Sequence, residues 1–204
     1  MNQNSATNIA VIGGGIFGVT TALLLESKGY KVDLFEKEKD IFQAATGINQ
    51  YRLHRGYHYP RSAETISSSL VSEDSFREWY GEAVNDSSKH HYAIAREGSK
   101  VNALQYETVL KRFGLSFEKV ALPHIEPGTV ESIYQVDEGL IDMSLLKKIA
   151  LERLSKSSIR VFFSQETSVD DLRSQYDFIV VSAYAQMNRA LGKRLSHPPY
   201  QFEV

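Results

Sequence analysis

The chain has 204 residues, 42% of them hydrophobic, and a net charge of −2, enough for one large domain or one and a half small ones. It contains no cysteine, which excludes disulfides, thiolate metal sites, a cysteine nucleophile and a cysteine-linked cofactor. No basic block is present (Lys147-Lys148 and Lys193-Arg194 read as solvated helix faces), so nucleic acid and anionic membrane are not expected as partners. The polar N-terminus has no signal-peptide pattern, and no apolar run approaches the ~20 residues of a membrane span. A cytoplasmic protein is the expectation.

The first elements are the most informative. Ile9, Val11 and Ile12 form the short apolar run of a parallel strand buried on both faces. Gly13, Gly15 and Gly18 follow at G-x-G-x-x-G spacing, with an extra glycine at position 14. Gly13 allows a sharp turn, Gly15 has no Cβ to hold a pyrophosphate away, and Gly18 lets a helix pack on its strand. Ile16 and Phe17 lie between them, at a helix start whose N–H groups and partial positive charge suit that phosphate pair. Val19, Ala22, Leu23 and Leu25 continue the helix, and Lys28-Gly29 ends it. Lys31–Phe35 predicts a second strand closed by Glu36, about 20 residues past the turn, where a carboxylate accepts from ribose hydroxyls. An acid there repels a 2′-phosphate, which favours FAD or NAD over NADP. Lys37 follows directly, in a charged turn that ends at Asp40.

Ile41–Asn49 is polar and glycine-containing. Tyr51–Arg61 is dense in Arg, His and Tyr. If it is extended, alternation puts Tyr51, Leu53, Arg55, Tyr57 and Tyr59 on one side, and Arg52, His54 and His58 on the other. Arginine suits two-pronged contact with a carboxylate, and histidine exchanges protons near neutral pH. The segment as a whole therefore reads as a site, although any single residue in it could equally pack on a surface strand.

Ser62 predicts the cap of a helix with Ile66, Leu70 and Val71 inward, then Phe76, Trp79 and Tyr80 as core. His90–Ala95 reads as a strand. His90 and His91 face opposite ways on it and no third ligand is evident, so no metal is expected. Residues 99–113 predict a helix ended by Gly114, with short strands over 115–120 and 132–136 and turns at Pro123, Pro127 and Gly128. Glu138-Gly-Leu-Ile-Asp142 reads as the opening of another helix capped by Asp142 or Ser144, with Leu145, Leu146, Ile149, Ala150 and Leu154 running on. Residues 159–163 predict a strand, and 177–182 a strongly apolar one suited to the centre of a parallel sheet.

The fingerprint over Ile9–Glu36, with Ala45-Thr46-Gly-Ile-Asn49 after it, resembles the D-amino-acid oxidase-type flavoproteins, relatives of glycine and sarcosine oxidases and L-2-hydroxyglutarate dehydrogenase. The resemblance spans nearly the whole chain. His54-Arg-Gly56 is similar to a His-x-Gly segment of the hydroxyacid-oxidising branch. In another register, Arg52-Leu-His-Arg55 resembles the paired arginines of the sarcosine oxidase branch. Gly139–Asp142 looks like the family's return from the substrate domain, and Asp177–Ala183 like its later FAD-side strand. Tyr184 departs from the pattern, which has glycine after the residue that matches Ala183. Relatives also run to roughly 370 residues on a two-domain scale, so a chain stopping at Val204 reads as an N-terminal portion or a natural truncation.

The resemblance implies an α/β fold: a Rossmann-like FAD-binding parallel sheet with an inserted, incomplete α+β substrate domain. Residues 1–84 and 139–195 are expected to form the FAD-binding domain, and 85–138 and 196–204 the partial substrate domain. The implied activity is oxidation of a C–H next to an amine or hydroxyl of a small carboxylate-bearing substrate, with hydride passing to FAD. Gly13, Gly15, Ile16, Phe17, Gly18, Glu36, Lys37, Thr46 and Ala183 are the implied cofactor-binding residues. Arg52 or Arg55 would orient the substrate and His54 or His58 accept a proton. A non-catalytic dinucleotide-binding module or truncated partner subunit, and an NAD-dependent dehydrogenase, are the alternatives. A sheet edge left open by truncation would pair with a second copy or with a missing C-terminal portion.

Overall fold

The protein was analysed as a computed structural model, which describes residues 7–126 and 128–193. Pro127, expected in a turn, and residues 194–204, which include Arg194 and the 196–204 stretch assigned to the substrate domain, lie outside the described residues.

The chain opens with β1 (Asn8–Ile12), α1 (Ile16–Ser27) and β2 (Lys31–Phe35), the strand–turn–helix–strand unit that the glycine spacing predicts. Next come β3 (Arg52–Leu53), α2 (Ala63–Tyr80), β4 (Val84–Asn85), β5 (His90–Ala95), α3 (Ala103–Arg112), β6 (Phe117–Val120), β7 (Val130–Val136) and β8 (Gly139–Ile141). The last elements are α4 (Met143–Lys156), β9 (Arg160–Phe162), α5 (Val169–Leu172), β10 (Phe178–Val181) and α6 (Met187–Leu191). Among the described residues no helix is long and apolar enough to cross a membrane.

The chain divides into two compact units, one of residues 1–49 and 147–204 and the other of residues 50–146. Segments 50–84 and 139–146, expected with the FAD-binding domain, therefore group with the middle unit. The reason is physical: Ile66 of α2 belongs to the middle unit's core, and β8 is bonded to β3 and β4.

The first unit holds a four-stranded parallel sheet in the order β10-β1-β2-β9. β1 is buried from Ile9 to Ile12 because, as a central parallel strand, it is covered on both faces. β10 was expected at the sheet centre, yet it lies at the edge of the described strands with Phe178 exposed. Its apolar residues serve one covered face: Ile179 and Val181 pack with Ala10, Ile12, Phe35 and Leu172. Asp33, a buried acid within β2, is matched by its register neighbour Arg160, whose Nε donates to Oδ1 at 2.7 Å, and by the Tyr176 hydroxyl. Asp142, one of the two expected caps, accepts from the N–H groups of Ser144 and Leu145 at the start of α4.

The middle unit has two antiparallel three-stranded sheets, β5-β7-β6 and β3-β8-β4. Tyr57, Ile66, Tyr106, Leu110 and Tyr134 form its core. Buried tyrosine hydroxyls need partners. Tyr57 donates to the Ser116 carbonyl at 2.7 Å and Tyr106 to the Tyr57 carbonyl at 3.0 Å.

Three local expectations are corrected in this unit. Residues 51–61 are not one extended strand, since only Arg52 and Leu53 pair. Gly56 turns the chain at φ +97°, and a Cβ there would lie 2.8 Å from Ile66 Cα. Leu53 and Tyr57 go into the core while Tyr59 stays exposed, so the alternating array does not form. Glu138–Asp142 is not a helix start; Gly139–Ile141 pairs antiparallel with both Arg52–Leu53 and Val84–Asn85. On α2, Val71 is exposed and Glu73 is buried, because two arginines give the acid a partnered interior position.

Candidate functional site

The glycine turn lies where the parallel strands end. Gly13 donates its N–H to the Phe35 carbonyl at 2.8 Å, and Ser182 donates to the Ile12 carbonyl at 2.8 Å. The turn thus sits between the C-terminal ends of β1, β2 and β10, the crevice where open α/β sheets bind ligands. Gly13 has φ +113°, and a Cβ on it would be 2.6 Å from the Ser182 carbonyl oxygen. A Cβ on Gly18 would be 1.8 Å from the Gly13 carbonyl oxygen, so the helix packs onto the turn through bare backbone. At Gly15 the surroundings differ. A Cβ there would meet only the Thr46 hydroxyl, at 3.3 Å, which leaves that side of the bend open.

Gly15 is the N-cap of α1 and offers no side chain to its first N–H groups, and the first turn carries no acid. The Thr46 hydroxyl takes one of these donors, accepting from Ile16 N–H at 3.1 Å. An uncompensated helix N-terminus with open backbone in front favours an anion. Phe17 is 80% exposed on this first turn.

Glu36 turns toward the bend. One carboxylate oxygen accepts the Gly14 N–H, and the other accepts the Glu38 N–H at 2.8 Å. The extra glycine at position 14 now has a reason: its Cβ would lie 2.8 Å from Glu36 Oε2. A carboxylate has about four acceptor sites, so two bonds to backbone leave capacity for ribose hydroxyls. Lys37 pairs with Glu38 at 3.4 Å, both half-exposed. Ala183 follows β10 beside Gly13, and Tyr184 after it holds φ +42°, a left-handed conformation that favours the glycine expected at that position. Ser182 is a contact that the sequence did not single out.

The middle unit gathers three of the four residues expected to act on substrate. Glu138 is 1% exposed. It accepts from the Tyr92 hydroxyl at 2.8 Å and from the Arg55 N–H at 3.2 Å. Arg52 Nη1 and His54 Nδ1 each stand 3.7 Å from its oxygens. Burial pushes the Glu138 carboxyl up, but His54, the Tyr92 hydroxyl and the Arg55 N–H outweigh it and hold the group below its ordinary value. Arg52 also donates to Tyr92 at 2.8 Å and to Gln50. Arg55 is engaged elsewhere: its Nε donates to Glu73 at 2.7 Å, and Glu73 also holds Arg77, which in turn pairs with Asp86. His58 is exposed and reaches the cluster only by ring contact, 6.1 Å from Tyr92.

Glu138 and Tyr92 were missed by sequence reasoning. The available signal was an acid adjoining the Gly-Leu-Ile run. The pairing of β8 with β3, which sets Arg52 opposite Leu140, brings that acid to the arginine.

A parallel sheet with an open glycine bend, an uncapped helix start and a facing carboxylate is the arrangement of a Rossmann-like fold. Residues 8–199 match the family described as DAO, FAD dependent oxidoreductase, and the chain belongs to that family. FAD is the cofactor of this family. It is 30% identical over 134 residues to the FAD-dependent monooxygenase FPY4 of Fusarium mangiferae, covering 66% of this chain and 36% of that protein. It is 41% identical over 104 residues to the FAD-dependent monooxygenase kojA of Aspergillus flavus, covering 51% and 23%. Its fold is similar to that of glycine oxidase from Geobacillus kaustophilus, with a TM-score of 0.63 and 14% identity over 79% of this chain and 48% of that one. The chain thus spans less than half the length of each of these proteins.

Proposed function

We propose that the chain carries the FAD-binding part of an oxidoreductase that oxidises a C–H next to an amine or hydroxyl of a small, carboxylate-bearing molecule. The observation that carries the reading is the open face of Gly15, framed by the start of α1 and by Glu36. Gly13, Gly15, Gly18 and the N–H groups at Ile16 and Phe17 hold the diphosphate, with the Thr46 hydroxyl beside it. Glu36 accepts from ribose, Lys37 adds positive charge at that end, and Ala183 borders the turn from β10. When bound, FAD supplies the hydride acceptor.

The residues of the middle unit bind and orient the substrate. Arg52 is the better candidate for the carboxylate, because Arg55 is held by the buried acid Glu73. His54, with its side chain 41% exposed, is the better candidate to accept a proton than the peripheral His58.

The test is flavin binding by the purified chain and by Gly15→Val. FAD should quench on binding to the parent, and the variant should keep its circular dichroism while losing binding at least tenfold, about 1.4 kcal/mol. Equal binding by both proteins would overturn the assignment of the turn. NADH binding without flavin binding would favour a nicotinamide dehydrogenase instead.

A further inference from the structure

The carboxylate of Glu138 is among the most enclosed charges of the described chain, and its position relative to one histidine has a chemical consequence. His54 places Nδ1 inside, with no hydrogen-bond partner, 3.7 Å from Glu138 Oε1, while its side chain remains 41% exposed. Nδ1 is itself buried, so that exposure belongs to the rest of the side chain, which includes Nε2. Neutral imidazole has two tautomers, and the neighbour of one nitrogen decides which is present. A buried carboxylate facing Nδ1 favours a hydrogen there over a lone pair, and low local polarity strengthens that preference. The charge is fixed in place by other groups. Tyr92 and the Arg55 N–H each donate to it, and Arg52 stands 3.7 Å from its second oxygen.

We propose that Glu138 is a positioning residue that holds His54 as the Nδ1–H tautomer, leaving Nε2 as the proton acceptor. This deepens the function proposed above and rests on it for the acceptor role. The reaction would then deliver a substrate proton to Nε2 and form an imidazolium whose Nδ1–H faces the Glu138 carboxylate. Arg52, Arg55, His90, Tyr57, Tyr92 and Tyr106 are the charged or titratable groups that act on the pair from the surrounding elements.

Nitrogen NMR of the full chain labelled at histidine reads the tautomer directly. Loss of one resonance set in His54→Gln identifies His54 among the six histidines. In alkaline buffer, where imidazole is neutral, wild-type His54 should show a protonated Nδ1 and an unprotonated Nε2. Glu138→Gln keeps the shape, removes the charge and should shift the population toward Nε2–H, and Glu138→Ala should shift it further. A wild-type Nε2–H tautomer, or variants that keep the wild-type ratio, would overturn the proposal. If the alanine variant fails to fold, the wild-type and glutamine spectra still decide. FAD binding measured on the same proteins separates the two readings. A tautomer shift in a chain that never binds FAD sinks the functional reading, and unshifted spectra in a chain that binds it sink the role of Glu138.

Discussion

The carboxylate of Glu36 accepts the backbone N–H of Gly14, a residue 22 positions earlier in the chain. This pair gives two glycine substitutions opposite outcomes. In Gly14→Ala the new Cβ meets the Glu36 carboxylate at 2.8 Å, which can rotate aside, and the Glu36 Cβ and Cγ at 3.0 Å, which need give by only a few tenths of an ångström. The fold should survive, while displacement of the carboxylate weakens FAD about tenfold, one hydrogen bond to a charged group. In Gly18→Ala the obstacle is the Gly13 backbone carbonyl, which cannot move without opening the strand–helix junction. We expect destabilisation of about 3 kcal/mol, at the upper end for forced overpacking. Urea unfolding together with flavin titration distinguishes the two, and equal unfolding midpoints for both variants would refute the distinction.

Glu73 supplies a second contrast. Its two oxygens hold Arg55 at 2.7 Å and Arg77 at 2.9 Å, and it is 7% exposed. Glu73→Ala removes the acid from between two partly buried guanidiniums and should cost about 3 kcal/mol. Arg55→Ala leaves Glu73 paired with Arg77 and should cost only about 1 kcal/mol. If Arg55 instead served the substrate directly, its removal would leave stability untouched. The denaturation midpoint of each variant decides.

The glycine turn was legible because its parts are close in sequence and each obeys a steric rule that one residue type satisfies. Glu36 was legible for the same reason, being at the end of the next strand. The Glu138 cluster was not, because it depends on β8 pairing with β3, and nothing local announces a partner across that distance. The run Gly139-Leu-Ile reads equally well as a strand or as a lead into α4, and only its pairing opposite Leu53 and Val84 settles the choice. Likewise, alternation over 51–61 fails at Gly56, whose positive φ answers to the close approach of Ile66. The edge position of β10 could not be read from its apolar composition, since one covered face and two covered faces give the same short run.

Acid should destabilise the chain in two stages. His90 is held below its ordinary value of 6.5, chiefly by burial, with Arg52, His91 and His54 adding to the effect and Glu138 opposing it. A depressed histidine means that the unfolded chain takes up the proton first. Stability is therefore full above about pH 6.5 and declines as pH falls below it. Glu138 is also depressed, so its contribution is present above the ordinary carboxylate value and disappears only as pH falls through its lower folded value. His90→Gln should flatten the upper stage and leave the lower one. A melting temperature independent of pH between 7 and about 5 would contradict the upper stage.

Alkali should act through the tyrosines, and the sign is the reverse. Burial pushes the Tyr57 hydroxyl up to about 12, and burial together with the Asp33 carboxylate does the same for Tyr176. Burial also raises Tyr92, Tyr106 and Tyr134. A group whose folded pKa is raised stabilises fully below its unfolded value, here 10.0, and that stability drains away as pH climbs toward the folded value. The native chain should then show delayed tyrosinate absorbance for these five of its eleven tyrosines, of which Tyr57, Tyr92, Tyr106 and Tyr134 are released together when the middle unit opens and Tyr176 with the first unit. Tyr106→Phe should lower stability at neutral pH by about 1 kcal/mol, because the buried Tyr57 carbonyl loses its donor. The same substitution should remove one delayed tyrosine from the titration. If all eleven instead ionised in a single step near pH 10, the buried positions assigned to these rings would be wrong.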